Sequence, residues 1–395
     1  MYKDFYASLK PLEGEIPYAE EERLAASGAP LLSWYRKNRR LLPWRENPEP
    51  YSVWISEIML QQTRVEAVKP YFARFMEALP GHHLARAGGR RAAFEAVGGT
   101  WVLFQSPDLK KAAVCLMEDY GGQMPASRDE ILKLPGIGSY TAGAVASIAY
   151  DLPAPALDGN VVRVLTRLFA DPQDSTKQAL RKKYERRLEA ELVRRTEERD
   201  SYLSADDDAG EVSMASRSEE LFHPGEYNQA WIELGALVCI PGGRPLCEKC
   251  PLESLCLAHR RGEEEQYPVK PPKKPRKKED KTVLILFSEN KTALHKRGNT
   301  GVLKNLWEFP NVEGALTEKE AEIWCAEKGM KLLRTERLPS YQHVFTHVEW
   351  KLSCYGVWVS GQPEEFLWLD LEGLEQRAVP SAFRPCCEEA RKRLQ

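Results

Sequence analysis

The sequence contains no apolar run approaching the length of a membrane span, which predicts no transmembrane helix and no membrane partner. It lacks a secretory start: "MYKDFYASLKPLEGE" is acidic and broken by proline where a signal peptide carries a basic and then an apolar region. The expected compartment is therefore cytoplasmic. It also lacks an excess of positive charge. Its 56 Lys and Arg against 58 Asp and Glu leave a formal net charge of -2, so any contact with nucleic acid has to come from local features of the chain. Cysteine is sparse outside one place. Of the nine, Cys115, Cys325, Cys354, Cys386 and Cys387 scatter, while Cys239, Cys247, Cys250 and Cys256 crowd together. Without a secretory signal, such a cluster reads as a metal site and not as a disulfide framework. What remains is an ordinary soluble composition, 43% hydrophobic over 395 residues, long enough for two or three domains with their own cores.

Residues from about 25 to 170 read as helix after helix. "YSVWISEIMLQQTRVEAVKPYFARFMEAL" is strongly amphipathic, with a predicted interruption near Pro70. "SRDEILKL" has the form of a capping box, with Ser127 followed three residues later by Glu130. The charge-dense stretch 171–222, containing "STKQALRKKYERRLEAELVRRTEERD", predicts a solvated helix with opposite charges at helical spacing, and no chemistry. "RGEEEQYPVKPPKKPRKKEDK", rich in proline and lysine, reads as a linker. Beyond it, "TVLILF", "TALHKR" and "YGVWVS" read as strands and "TEKEAEIWCAEKG" as a helix, an α+β domain.

"LPGIGSYTAG" places two glycines between helical runs. Turning the chain is the plain role for such residues. Gly136 and Gly138 also lack a Cβ, which lets backbone N–H groups approach a phosphate at the positive start of the next helix, a grip on DNA that needs no lysine. The continuation "AYDLPAPALDGNVVRVLTRLF" resembles the helix–hairpin–helix DNA glycosylases, the superfamily that includes endonuclease III. By that resemblance Asp158 matches the catalytic aspartate. Tyr140 stands where lyase members carry the lysine that forms a Schiff base, which argues against strand cleavage by β-elimination.

"PWRENPEPYSVWISEIMLQQTRV" resembles one branch, the A/G-mismatch adenine DNA glycosylases (the MutY family), and Glu57 matches that family's catalytic glutamate. On a helix Glu57 neighbours Val53, Trp54, Leu60 and Gln61, mostly apolar, and desolvation of that kind keeps a proton on a carboxyl. Asp158 precedes Gly159 and Asn160 at a helix start, where N–H groups and the dipole favour the anion. One acid protonated and one ionised is the split that general acid catalysis with cation stabilisation needs. The resemblance implies that the target adenine flips out of the duplex and that Glu57 protonates the imidazole-ring nitrogen of the base. Asp158 then stabilises the oxocarbenium-like sugar, and water completes hydrolysis. It further implies that Tyr140 and Asn160 help hold Asp158 and the sugar, with Gln62 at the base stack.

The cysteines have the spacing C-x7-C-x2-C-x5-C. Four thiolates from one loop suit zinc or an iron–sulfur cluster, and spacing alone favours neither. The lead-in "YNQAWIELGAL" resembles that of the 4Fe–4S loop in these glycosylases, so the resemblance implies a 4Fe–4S cluster on Cys239, Cys247, Cys250 and Cys256. The commonest family spacing has one residue fewer in the first gap. "NLWEFPNVEG" and "YQHVFTHVEW" resemble the Nudix-like C-terminal domain of the family. Gly314 and Glu320 fit the opening of a Nudix metal-binding helix, but Lys328-Gly329 stands where Arg-Glu should follow, so triphosphate hydrolysis is not predicted. The family reads 8-oxoguanine with a Phe-Ser-His loop. Here the loop is Phe345-Thr346-His347, which keeps the hydroxyl and adds a methyl group.

The resemblance covers most of the chain but lapses over about 81–107. Where the family has a "WEGLGYYSRVR"-like stretch that wedges the duplex, this chain reads "AFEAVGGTWVLFQSP". One codon choice for that peptide, read one base further along, spells Leu-Leu-Lys-Leu-Trp-Glu-Gly-Leu-Gly-Tyr-Tyr-Ser-Arg-Val, the family pattern. We read the segment as a compensated frameshift, either in the gene or in its reading, with the frame lost near Pro80 and recovered near Asp108, and carry no family residue onto it. The predicted fold is a mostly α helix–hairpin–helix glycosylase domain with an iron–sulfur loop over 25–260, the charged insertion at 171–222 and a linker at 261–280, followed by an α+β Nudix-like domain over 281–372. The expected activity is a monofunctional adenine glycosylase, a monomer acting on double-stranded DNA that contains A:8-oxoguanine or A:G. An endonuclease III-like glycosylase/lyase is the alternative, as is a non-catalytic iron–sulfur DNA-binding protein should 81–107 be truly altered.

Overall fold

The computed structural model describes residues 19–395 apart from 62, 79–106, 207–220, 272–274, 300, 305, 346 and 378. The described residues up to Pro271 form one compact unit and those from Pro272 onward a second. Among the described residues no helix is long and apolar enough to cross a membrane.

The first unit is helical: α1 (Glu20–Asn38), α2 (Pro43–Glu46), α3 (Pro50–Leu60), α4 (Val65–Ala78), α5 (Pro107–Asp119), α6 (Arg128–Leu132), α7 (Ser139–Tyr150), α8 (Gly159–Phe169), α9 (Gln178–Asp206), α10 (Pro224–Leu237) and α11 (Leu257–Arg261). Prolines at the first turn start α2, α3 and α10, where a missing N–H costs nothing. The predicted break at Pro70 does not occur. Helix α4 runs through it, and the helices part earlier, α3 ending at Leu60 and α4 beginning at Val65. The predicted capping box at Ser127 is not formed either. Ser127 makes no side-chain cap bond, and Glu130 is engaged by the Tyr120 hydroxyl at 2.6 Å and by Lys133.

Helix α9 is less solvated than its charge suggested. Leu180, Tyr184, Leu188 and Leu192, four residues apart, form a buried stripe packed into the core with Phe169, Tyr227 and Trp231. Its charges tie it to α1 and to the end of α8: Lys183 Nζ lies 3.1 Å from Glu20 and 2.8 Å from Asp171, and Arg187 pairs with both Glu20 and Glu21. Helix α7 packs against α3 and α10. It lies so close to the extended segment before Asp158 that a Cβ on Gly143 would stand 1.8 Å from the Pro155 carbonyl oxygen. Only glycine permits that approach, and the approach sets where α8 begins.

The second unit contains β1 (Lys277–Ser288), β2 (Lys291–Lys296), β3 (Trp307–Glu308), β4 (Asn311–Glu313), α12 (Glu318–Glu327), β5 (Lys331–Val344), β6 (Val348–Ser360), β7 (Leu367–Leu369), α13 (Leu371–Gln376) and α14 (Arg384–Leu394). The sheet order is β3-β2-β1-β6-β5, with β4 on β1 and β7 on β2. Strands β1 and β6 are parallel, in register from Lys277↔Val348 to Phe287↔Trp358. Alternation along β1 divides the core. Val283, Ile285 and Phe287 pack with Trp350 and with Cys386 and Ala390 of α14, while Leu284 and Leu286 pack with Ala321 and Cys325 of α12.

Candidate active site

Helix α3 is apolar on nearly every side: Ser52 to Glu57 and Met59 are all buried. An acid placed there loses its hydration. Glu57 is 8% exposed, and burial pushes its carboxyl up to about 7, with the negative charge of Asp158 adding to the rise. Two contacts pull the other way. The Tyr140 hydroxyl donates to Glu57 Oε2 at 2.6 Å, and Arg45 lies near. Tyr140 was expected to help hold Asp158; its hydrogen bond goes to Glu57, because it sits in the first turn of α7, the helix packed on α3, and the charge of Asp158 acts on it as well.

Asp158 is the N-cap of α8. Its Oδ1 accepts from the Val161 N–H at 2.8 Å and its Oδ2 from Asn160 Nδ2 at 2.6 Å, which is the Asn160 contact expected. These bonds favour the anion, but burial outweighs them in direction, and the Asp158 carboxyl also stands above its ordinary value. The helix start was expected to hold it low, and the depth of the cavity is what opposes that. Glu57, Tyr140, Asp158 and Asn160 line one cavity of about 950 Å³ together with Arg40 and Arg45.

Arg40, Arg45 and Glu233 were not singled out in the sequence. Glu233 is fully buried on α10, where its carboxylate accepts from Arg40 Nε and Nη2, each at 2.8 Å, and from Arg45 Nη2 at 3.0 Å. Those partners outweigh burial and hold its carboxyl down to about 2. The signal was an acid inside the apolar run "AWIELGAL", the same signal that marked Glu57; its partners lie far away in the chain.

At the hairpin, Gly136 has φ 76° and Gly138 caps α7; both are exposed, and nothing stands within 4 Å of a Cβ placed on Gly138. Gln62, placed at the base stack by the sequence reading, lies outside the described residues, as do most of 81–107 and part of 171–222.

Cys239, Cys247, Cys250 and Cys256 are free thiols that influence one another electrostatically. Burial pushes Cys247 and Cys250 up to about 12 and Cys256 up to about 11, so that only a strongly bound cation would make them thiolates at neutral pH. Arg163 Nε donates to the Cys239 carbonyl at 2.8 Å while its Nη2 donates to Asn160 Oδ1 at 2.9 Å. One turn on, Arg167 Nη1 donates to Cys239 Sγ at 3.2 Å.

In the second unit Phe345 packs edge-on against Trp350 and His343, with ring centroids 4.8 and 4.7 Å away, and its N–H donates to the Val348 carbonyl at 2.8 Å. His347 is exposed, and Thr346 lies outside the described residues. Glu320 accepts from the Thr317 N–H at 2.7 Å and from its hydroxyl at 2.8 Å, closing the start of α12.

Comparison with known proteins follows these two units. Residues 282–389 match the NUDIX domain and 119–148 the helix-hairpin-helix motif. The chain is 30% identical to the adenine DNA glycosylase of Buchnera aphidicola subsp. Baizongia pistaciae, over 80% of this chain and 82% of that protein. It is 29% identical to the human adenine DNA glycosylase over 90% of this chain and 72% of the human protein. It is 28% identical to that of Buchnera aphidicola subsp. Acyrthosiphon pisum over 92% and 97% respectively.

Proposed function

Because this chain belongs to the adenine DNA glycosylase family and is a DNA glycosylase, we propose that Glu57 is its general acid and Asp158 the carboxylate that stabilises the sugar cation. The observation that carries the assignment is the pair itself: a buried acid poised near neutrality and a helix-capping acid, lining one cavity. A flipped adenine enters that cavity. Glu57 gives its proton to the imidazole-ring nitrogen, which turns the base into a neutral leaving group. The glycosidic bond lengthens, positive charge grows on the sugar, and Asp158, oriented by Val161 and Asn160, offsets it. Water then adds to the sugar. Tyr140 orients Glu57 and, with Arg45, restrains how far burial raises it. Arg40 and Arg45, fixed on Glu233, offer donors to the polar edge of the base. No lysine stands at Tyr140, so the product is an intact strand carrying an abasic site.

Gly136 and Gly138 are assigned to a phosphate: Gly138 has nothing within 4 Å of an added Cβ and offers open backbone, while Gly136, with φ 76° and the Asp108 Cβ 2.7 Å from where its own would stand, makes the turn that presents it. Phe345, Thr346 and His347 are assigned to the base opposite the adenine, 8-oxoguanine or guanine, and the protein acts as a monomer. Cys239, Cys247, Cys250 and Cys256 would hold the 4Fe–4S cluster. Their donors suit it: four thiols from one loop, close enough to act on one another's charge, are the ligand set that such a cluster takes. The cluster, when bound, supplies a rigid cross-link of the loop and a local charge. Arg163 and Arg167 tie that loop to α8, whose N-cap is Asp158.

Single-turnover excision on a duplex containing A:8-oxoguanine tests the proposal. Adenine is released, the strand breaks only after alkali, and Glu57→Gln abolishes release. Direct strand scission would point to the lyase alternative; binding without release by the parent chain would point to the non-catalytic one.

A further inference from the structure

Of the four clustered cysteines, Cys239, Cys250 and Cys256 pack against the hydrophobic core, while Cys247 faces Glu264 and His259. Its Sγ lies 3.8 Å from Glu264 Oε1, and that oxygen lies 2.5 Å from His259 Nδ1. The sulfur, nitrogen and oxygen all fall within 4.8 Å of one another, the one such group among the described residues. The far side of the imidazole is held as well: His259 Nε2 lies 3.1 Å from Glu253 Oε1. A ring whose second nitrogen is held by a carboxylate has its first nitrogen aimed, the arrangement found behind metal-binding histidines. Glu264 is buried, 8% exposed, so its charge is not a solvated surface feature.

We propose that Cys247, His259 and Glu264 form a second metal site, for a zinc-like divalent cation, which competes with the four-cysteine site for Cys247. One sulfur, one nitrogen and one oxygen is a donor set for a borderline-soft ion, with water in the fourth position. The 3.8 Å between sulfur and oxygen is close to the about 3.5 Å that two such ligands keep on one tetrahedral zinc. In the metal-free chain a proton sits between Nδ1 and Oε1; the cation replaces it, and the two atoms move apart by under about 1 Å. Between Cys239 and Cys247 the chain turns at Gly242 and Gly243, with φ 72° and 90°, and is pinned again where the Leu246 N–H donates to the Val238 carbonyl at 3.0 Å, so the choice between the two sets of donors falls to the Cys247 side chain. The competition rests on Cys247 being a cluster ligand; the three-donor site does not.

The full chain, produced with zinc in iron-poor medium, is read by elemental analysis and by zinc-edge X-ray absorption. The expected result is zinc with one sulfur and otherwise nitrogen or oxygen neighbours. A shell of sulfur alone overturns the site. In titrations with zinc alone, His259→Ala and Glu264→Gln are expected to weaken binding about tenfold or more, and Glu253→Gln about tenfold. Cys239→Ser, which removes a thiol from the four-cysteine set only, leaves zinc binding unchanged. Equal zinc affinity in the parent and in His259→Ala overturns the proposal. In iron-replete chain His259→Ala keeps its cluster absorbance. Absent iron in the parent would remove the cluster reading while leaving the zinc result to stand or fall by itself.

Discussion

Glu57 and Glu233 are both acids sunk in apolar helices, and their neighbours send them in opposite directions. With its carboxyl near 7, Glu57 loses its proton as pH rises, and the excision rate is expected to fall about tenfold per pH unit above about 7. The Tyr140 bond favours the ionised form. Tyr140→Phe therefore raises the Glu57 carboxyl further and moves that alkaline limb to higher pH, measured as single-turnover rate against pH; a limb that stays put or moves down removes Tyr140 from the mechanism. Glu233, held near 2 by Arg40 and Arg45, behaves oppositely. Its folded value is depressed, so the stability it adds is full above about 4.5 and is lost as pH falls toward about 2. That loss is on the order of 3 kcal/mol. Acid unfolding of Glu233→Gln should lack this component, and the variant should be less stable at pH 7, because two cavity-lining arginines lose their counter-charge. Glu57 was legible because its apolar neighbours are local in sequence. What neutralises Glu233 comes from two arginines in a distant segment, and no spacing rule reports that.

Among the elements, α7 and α9 show how close approach and hidden apolar stripes decide the fold. Gly143→Ala sets a methyl group against the Pro155 carbonyl. The expected cost is about 3 kcal/mol in denaturant unfolding, with a lower excision rate because Asp158 follows that segment. Helix α9, dense in charge, gives the opposite surprise: Leu188→Ala should cost about 2–5 kcal/mol, as for any core leucine, where a fully solvated helix would lose almost nothing. The stripe at 180, 184, 188 and 192 was visible as a period of four, but the surrounding charges dominated the average. At Ser127 the capping pattern was present and the bond was not, since Tyr120 and Lys133 outcompete the backbone for Glu130. A real capping box formed at Thr317 and Glu320, where no such competitor is bonded to the carboxylate.

At the scale of the whole molecule, the helical first unit and the α+β second were legible from periodicity and from quoted motifs, because hairpin, cysteine spacing and strand alternation are local patterns. The cavity was legible only in part, since Tyr140, Arg40 and Arg45 find their partners through packing. Resequencing the codons for residues 80–108 is expected to show paired, compensating single-base changes, and a frame-restored chain should bind duplex DNA more tightly in a salt titration. A single intact frame with the same peptide in related strains would end that reading. The capped start of α12 bears on the history open to the second unit. Glu320 spends its carboxylate on Thr317, and the helix stops at Glu327, before Lys328 and Gly329. A return to cation-assisted nucleotide chemistry would need that acid released, the helix lengthened and an Arg-Glu pair rebuilt together. Mutational drift meets there a ratchet, with no useful halfway form.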